Sequence, residues 1–125
     1  MSVLVDTSVL IDVLRGEAVA AAVLRDACAV GPLHASEVTR SEVLAGMRAA
    51  EETSTRALLA ILDWHPLDDR VAELAGEFGR RWLPGNRGID SADLAIAATA
   101  VLLDAPLLTR NVEHFPMFEG LSAPY

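Results

Sequence analysis

Acidic side chains in three separate segments are the residues of this sequence best suited to chemistry. Asp6 directly follows the apolar run Val3–Val5, and Glu42 lies on a predicted helix that has one apolar face. Asp90 and Asp93 stand three residues apart, so on a helix their side chains share one face about 5–6 Å apart. Carboxylate oxygens hold Mg²⁺ and Mn²⁺ in proteins. The three segments therefore predict a metal site, provided that the fold brings them together.

Each of these acids also has an ordinary structural interpretation. Asp6 could cap the following helix, and Asp90 and Asp93 could oppose the positive end of a helix dipole. Glu42 could lie on an exposed helix face, which is the interpretation we favour for Glu37. Asp93, however, borders one of the most apolar stretches of the chain and repels its neighbour at this spacing. A divalent cation is a good partner for such a pair, so we favour the functional interpretation there.

Short apolar runs alternate with helical patterns along the chain. Strands are predicted at 3–5, 33–35, 64–67 and 107–109, and helices at about 7–14, 17–30, 36–50, 54–62, 69–82 and 90–103. This alternation predicts one α/β domain over residues 1–125 with a central, mainly parallel sheet. Ligands of such sheets bind beyond the carboxyl ends of the strands. The residues at those ends, after the first and last strands, are Asp6, Thr7, Ser8, Thr109, Arg110 and Asn111.

Composition excludes several other classes of protein. The longest apolar stretch, residues 94–103, is too short for a membrane span, which needs about twenty residues. The N-terminus has no basic segment typical of a signal peptide, so we expect a cytoplasmic protein. A single cysteine, Cys28, excludes an internal disulfide, and we expect it in the core. The histidines His34, His65 and His114 are scattered along the chain, so no zinc site is predicted.

Four segments together resemble the PIN-domain family and, within it, the VapC toxins of bacterial toxin–antitoxin pairs. They are VLVDTSVLID, SEVLAG, IDSADLAIAATA and LLTRNVEHF, which follow one another in the family's order over nearly the whole chain. The combination of DTS, IAATA and TRN is specific, whereas any one of them alone is weak. The resemblance implies a three-layer α/β/α fold.

The resemblance also implies an activity and a set of partners. It implies an endoribonuclease that depends on one or two Mg²⁺ or Mn²⁺ ions and cleaves structured RNA such as tRNA or rRNA. It further implies a homodimer and a cognate antitoxin that inserts a segment into the active site. By this resemblance Asp6, Glu42 and Asp93 are metal ligands and Asp90 is an accessory acid. The supporting hydroxyl and amide groups are those of Thr7 or Ser8, Thr109 and Asn111.

One position departs from the family's pattern. Many relatives carry Asp or Glu just before the Phe of the last motif, where this chain has His114. The fourth metal ligand is therefore open: Asp90 or His114 could supply it, or a second ion could bind only with the substrate.

The charge of the chain argues against nonspecific binding of RNA. The net charge is −8, and all ten basic residues are Arg. Neutralising Asp6, Glu42, Asp90 and Asp93 would leave −4, so RNA must be held by local arginines; Arg87 and Arg110 are the candidates nearest the motifs.

Two alternatives remain at this stage. A catalytically idle PIN-like binding module is kept open by His114, although the three principal acids argue against it. An aspartate-nucleophile phosphatase would use Asp6, but such sites generally need a lysine, and this chain has none.

Overall fold

A four-stranded parallel sheet forms the centre of the fold. The computed structural model describes residues 2–125. The strands are β1 (Val3–Val5), β2 (Leu33–Ser36), β3 (Asp63–His65) and β4 (Leu107–Leu108), in the spatial order β3-β2-β1-β4. All three strand pairs are parallel. The chain therefore builds outward from β1 in one direction and returns to its other side, which makes the β1/β4 boundary the switch point where ligands of such sheets bind.

Six helices cover the two faces of the sheet. They are α1 (Thr7–Leu14), α2 (Ala18–Val30), α3 (Glu37–Ala45), α4 (Glu52–Leu59), α5 (Asp69–Trp82) and α6 (Ser91–Leu103). Short 3₁₀ turns span Ala49–Glu51, Leu83–Gly85 and Val112–His114. The predicted three-layer α/β/α arrangement is confirmed. No helix within residues 2–125 is long and apolar enough to cross a membrane.

The alternation of side chains along β1 divides the core into two layers. Val5 is fully buried in a cluster with residues of α1 to α4. Leu4 points to the other face and packs with Ile96 of α6, Leu107 of β4 and Phe115. A central strand that is buried on both faces explains why VLV reads as a continuous apolar run.

Most predicted element boundaries agree with the structure to within two residues, but α4 ends three residues early, at Leu59, and α3 is shorter than expected. It ends at Ala45, before Gly46, and the predicted stretch to Ala50 instead contains the 3₁₀ turn Ala49–Glu51. Glu51 stabilises that turn by accepting a hydrogen bond from the Arg48 amide at 2.9 Å, and it also pairs with Arg15 at 2.6 Å. Strand β3 is likewise shorter than the predicted 64–67 and begins one residue earlier.

The expectation for Cys28 is wrong. Its side chain is exposed on α2 and lines a surface groove together with Val13, Leu24 and Ile61. The high alanine content of α2 gives little contrast between its faces, so sequence alone could not orient the helix about its own axis.

The core around Phe115 provides a test of the packing. Phe115 is only 1% exposed, so Phe115→Ala should lower the free energy of unfolding by about 3–5 kcal/mol in a urea titration. Leu67 is 56% exposed, and Leu67→Ala should change it by less than about 0.5 kcal/mol. Equal effects of the two variants would contradict the assignment of Phe115 to the core.

Candidate active site

Asp6 lies at the switch point of the sheet and links the end of β1, near the N-terminus, to the end of β4, near the C-terminus. Its carboxylate is 4% exposed and accepts hydrogen bonds from Thr109 Oγ1 at 2.7 Å and Ser8 Oγ at 2.8 Å. Its backbone amide donates to the Leu108 carbonyl at 2.9 Å. Asp6 occupies the N-cap position of α1, but its side chain makes no capping hydrogen bond. The carboxylate is therefore oriented by two side-chain hydroxyls, those of Thr109 after β4 and Ser8 in the first turn of α1, and not by the backbone amides of that helix.

Helix α3 brings Glu42 to the residue that follows Asp6. Ser36 caps this helix by accepting from the Val38 amide at 3.2 Å. Thr39 and Glu42 stand three residues apart and share a face of α3. Thr7 Oγ1 donates to Glu42 Oε1 at 2.7 Å and lies 3.0 Å from Thr39 Oγ1. Glu42 is thus tied to the carboxyl end of β1 through one hydroxyl group.

Asp90 and Asp93 form a reciprocal capping box at the start of α6. Asp90 Oδ1 accepts from the Asp93 amide at 2.9 Å, and Asp93 Oδ2 accepts from the Asp90 amide at 3.1 Å. Asp93 is only 9% exposed, whereas Asp90 is exposed. His114 Nδ1 lies 3.3 Å from Asp93 Oδ2. The pair therefore caps α6, and this arrangement places a buried carboxylate beside an imidazole.

The electrostatic environment of Asp93 is unfavourable to its charge. Burial, together with the neighbouring charges of Asp90 and Asp6, raises the pKa of Asp93 from 3.8 to about 6. The hydrogen bond from the Asp90 amide and the proximity of His114 act in the opposite direction but do not compensate. The influence of Asp6 on Asp93 shows that two acids 87 positions apart in the sequence lie near each other in space.

Arginine does not neutralise these acids. Within residues 2–125, none of Asp6, Glu42, Asp90 and Asp93 forms an ion pair with an arginine. The three arginine ion pairs of that part of the chain involve other acids: Arg15–Glu51, Arg40–Glu37 and Arg110–Asp12. Several carboxylates that no arginine neutralises could instead be neutralised by a bound metal cation.

The remaining predicted residues differ in their environments. The backbone amide of Asn111 donates to Thr109 Oγ1 at 3.0 Å, which places Asn111 next to the hydroxyl that binds Asp6. Arg87 is exposed on the loop before α6. Arg110 is exposed too, but its guanidinium pairs with Asp12 at 2.7 Å. Arg110 is therefore partly neutralised, which weakens its expected role toward RNA and leaves Arg87 as the better candidate.

The donor set matches a hard divalent cation in chemistry. All four acids offer oxygen, the ligand that Mg²⁺ and Mn²⁺ prefer, and His114 adds one nitrogen. As the side chains stand, no three His, Cys, Asp or Glu residues among those described are grouped closely enough to hold an ion. Glu42 is turned to Thr7, and Asp93 to the amide of Asp90. Binding a metal would therefore require these carboxylates to exchange hydrogen bonds for the ion.

Sequence reasoning missed two parts of this region. Thr39, fully buried beside Thr7, could have been found from its position one helical turn before Glu42. The second is a network in which Asp12 Oδ2 accepts from Arg110 Nε at 2.7 Å and from the Tyr125 hydroxyl at 2.5 Å. No local pattern links Asp12 to partners about a hundred residues away in the sequence.

Comparison with known proteins gives a consistent result. The PIN domain family matches residues 3–116. The chain belongs to the PIN-domain family. It is 43% identical to ribonuclease VapC19 of Mycobacterium tuberculosis over 98% of both chains, and 42% identical to ribonuclease VapC10 of the same organism over 98% of this chain and 92% of that one.

Solved structures resemble this PIN domain over the same length. One is a toxin–antitoxin complex from Klebsiella pneumoniae, which is 29% identical with a TM-score of 0.82 over 98% of both chains. A second is VapBC2 from Rickettsia felis bound to a DNA fragment from their promoter, 19% identical with a TM-score of 0.79 over 98% and 97% of the two chains. The second likeness concerns the fold alone.

The raised pKa of Asp93 gives this PIN domain a specific pH dependence. Because the folded pKa of about 6 exceeds the ordinary 3.8, the folded protein retains a proton that the unfolded chain loses. Stability should therefore fall as the pH rises from about 4 to about 6 and change little from this group above that. Without divalent ions, Asp93→Asn should raise the melting temperature at pH 7.5 by a few degrees and much less at pH 4.

Glu73→Gln, on the exposed side of α5, is the matched control and should leave the melting temperature unchanged at both pH values. An Asp93→Asn variant equally destabilised at pH 4 and pH 7.5 would show that the hydrogen bonds of Asp93 matter more than its buried charge.

Proposed function

We propose that this protein is an endoribonuclease that depends on Mg²⁺ or Mn²⁺ and acts as the toxin of a toxin–antitoxin pair. The observation that carries the proposal is the buried Asp93, whose pKa is raised by burial, by Asp90 and by Asp6, while within residues 2–125 no arginine forms an ion pair with Asp93 or Asp6. Full-length identity of 43% to a protein named ribonuclease VapC19 supports the choice of reaction. The substrate class, structured RNA such as tRNA or rRNA, is the family's and would be met in the cytoplasm.

In this proposal Asp6, Glu42 and Asp93 hold the metal, with Asp90 and His114 alongside as the further candidates. When bound, such an ion supplies Lewis-acid chemistry for phosphodiester hydrolysis. Ser8 and Thr109 fix the orientation of the Asp6 carboxylate, as groups behind metal ligands commonly do. The hydroxyl of Thr7 orients the Glu42 carboxylate in the same way. Loss of any of these three hydroxyls would therefore leave the metal ligand in place but less well oriented.

Binding of RNA needs local positive charge, because the whole chain is strongly acidic. Arg87 is exposed three residues before Asp90 and forms no ion pair among the described residues. We assign it to a phosphate of the RNA, close to the scissile bond. Arg110 has a secondary role, since it would have to exchange Asp12 for phosphate.

A cognate antitoxin is the second partner that we propose. The 29%-identical structure from Klebsiella pneumoniae is a toxin–antitoxin complex. The uncompensated acids of the candidate site favour an inserted segment that carries basic side chains, which would both neutralise them and exclude RNA. We also propose a homodimer, consistent with exposed apolar side chains such as Val19 and Ile61, which are 57% and 53% exposed.

The acids should be needed for cleavage and not for folding. Asp6→Asn, Glu42→Gln and Asp93→Asn should each lower the rate of Mg²⁺- or Mn²⁺-dependent RNA cleavage by more than about a hundredfold, because each removes a ligand. Glu73→Gln on α5 serves as the control with unchanged activity. The rates are measured on total tRNA and rRNA, with circular dichroism to verify the fold. Growth arrest on expression should follow the same pattern. Wild-type protein that cleaves no RNA with either ion would favour the idle binding module.

The role of Arg87 can be separated from general charge effects. Arg87→Ala should weaken RNA binding and reduce the slope of log K against log salt by about one, the signature of one lost phosphate contact. Arg70→Ala is the matched control, because Arg70 lies beside Leu102 and Leu103 at the other end of α6. Identical binding of the two variants at low salt would remove the assignment.

A further inference from the structure

Two histidines far apart in the sequence lie side by side on the outer half of the sheet. His34 of β2 and His65 of β3 approach to 2.9 Å between Nδ1 and Nε2, and their ring centroids are 4.9 Å apart at an angle of 62°. The prediction from sequence that the histidines are scattered is wrong for this pair. The parallel register pairs Ser36 with His65 and His34 with Asp63, and alternation turns both imidazoles to the same face of the sheet.

The surroundings of the pair are partly open and of mixed polarity. His65 lines a cavity of about 110 Å³ whose other walls are polar at Asp68, Arg70 and Thr99 and apolar at Val71 and Leu102. Both imidazoles are half-buried. The proposed nuclease chemistry uses neither histidine. The carboxylate site lies at the switch point between β1 and β4, whereas β3 is the edge strand on the opposite side of the sheet.

The distance between the two nitrogens suits a shared ion as well as a shared proton. Two imidazole nitrogens bound at about 2.0–2.1 Å to one tetrahedral Zn²⁺ are about 3.3 Å apart. The pair would open by only a few tenths of an ångström, at the edge of a sheet where β3 has one neighbouring strand. Imidazole suits borderline ions such as Zn²⁺, Cu²⁺ and Ni²⁺, in contrast to the oxygen ligands near Asp6.

We propose that His34 and His65 form a binding site for a borderline divalent cation of the Zn²⁺ class, separate from the carboxylate site. As the side chains stand, no third His, Cys, Asp or Glu among residues 2–125 completes a ligand group there, so water fills the remaining positions. Burial and the neighbouring His34 lower the pKa of His65, which keeps it in the neutral form that binds metal. Asp63 supplies negative charge next to the site.

Such an ion would link the edge strand to the rest of the sheet. Strand β3 has only three residues and pairs on one side, with β2. An ion held by one ligand from each strand binds the folded chain and not the unfolded one, so it raises the melting temperature. This consequence is independent of RNA cleavage and can be measured without it.

The test is a calorimetric titration of the full chain with ZnCl₂ at pH 7.5. We expect a class of Zn²⁺ binding that His34→Gln and His65→Gln each weaken by at least about tenfold, while both variants keep wild-type RNA cleavage. His114→Gln is the matched control, because His114 contacts Asp93 and reports binding at the carboxylates. That variant should leave this class unchanged. Zn²⁺ should also raise the melting temperature of the wild type and of His114→Gln, but not of the other two.

A spectroscopic measurement on the unmodified protein guards against variants that fold poorly. Electron paramagnetic resonance of the protein with one equivalent of Cu²⁺ should show superhyperfine coupling to two imidazole nitrogens. The proposal is overturned if Zn²⁺ does not bind, if both variants bind it as the wild type does, if binding is lost in His114→Gln instead, or if the Cu²⁺ spectrum shows fewer than two nitrogens.

Discussion

The buried carboxylate of Asp6 is the point on which the arrangement of the candidate site depends. It accepts hydrogen bonds from Thr109 and Ser8, and its own amide bonds to Leu108, so the ends of β1 and β4 are joined where the strand order reverses. The next residue, Thr7, binds Glu42, which positions α3 against the same edge. One short segment after a three-residue strand thereby gathers groups from the beginning, middle and end of the chain.

Because these acids lie close together, their negative charges repel one another, and the arginines within residues 2–125 do not neutralise them. Asp93 is nearly buried at the start of an apolar helix, and Asp6 is near enough to raise its pKa further. A buried charge without a partner destabilises a fold, and sites of this kind are candidates for function because stability alone does not favour them. Arginine is available elsewhere on the surface, paired with Asp12, Glu37 and Glu51. The divalent cation that we propose would reconcile the acids with the stability of the domain.

Sequence was informative where one segment carried the whole signal. The apolar run of β1 and the apolar length of α6 indicated the elements that hold Asp6 and Asp93, and the motif order indicated the family. Contacts between residues of different strands or distant segments could not be predicted from the sequence. The register that puts His34 beside His65 arises from β2–β3 pairing, and the contact of Asp12 with Arg110 from the return of the last strand. The early end of α3 depended on Gly46 and on a turn stabilised by Glu51. Alanine-rich α2 had too little contrast to show that Cys28 faces outward.

We propose that Asp6, Glu42 and Asp93 share one cation once their present hydrogen bonds are exchanged. Anomalous diffraction from crystals grown with MnCl₂ can decide this, because the scattering locates the ion without reference to activity. We expect a manganese peak with carboxylate oxygens of all three residues about 2.1–2.3 Å away. A peak bound elsewhere, or ordered crystals in which these three carboxylates keep their hydrogen bonds to Thr109, Thr7 and the Asp90 amide at saturating Mn²⁺, would contradict it.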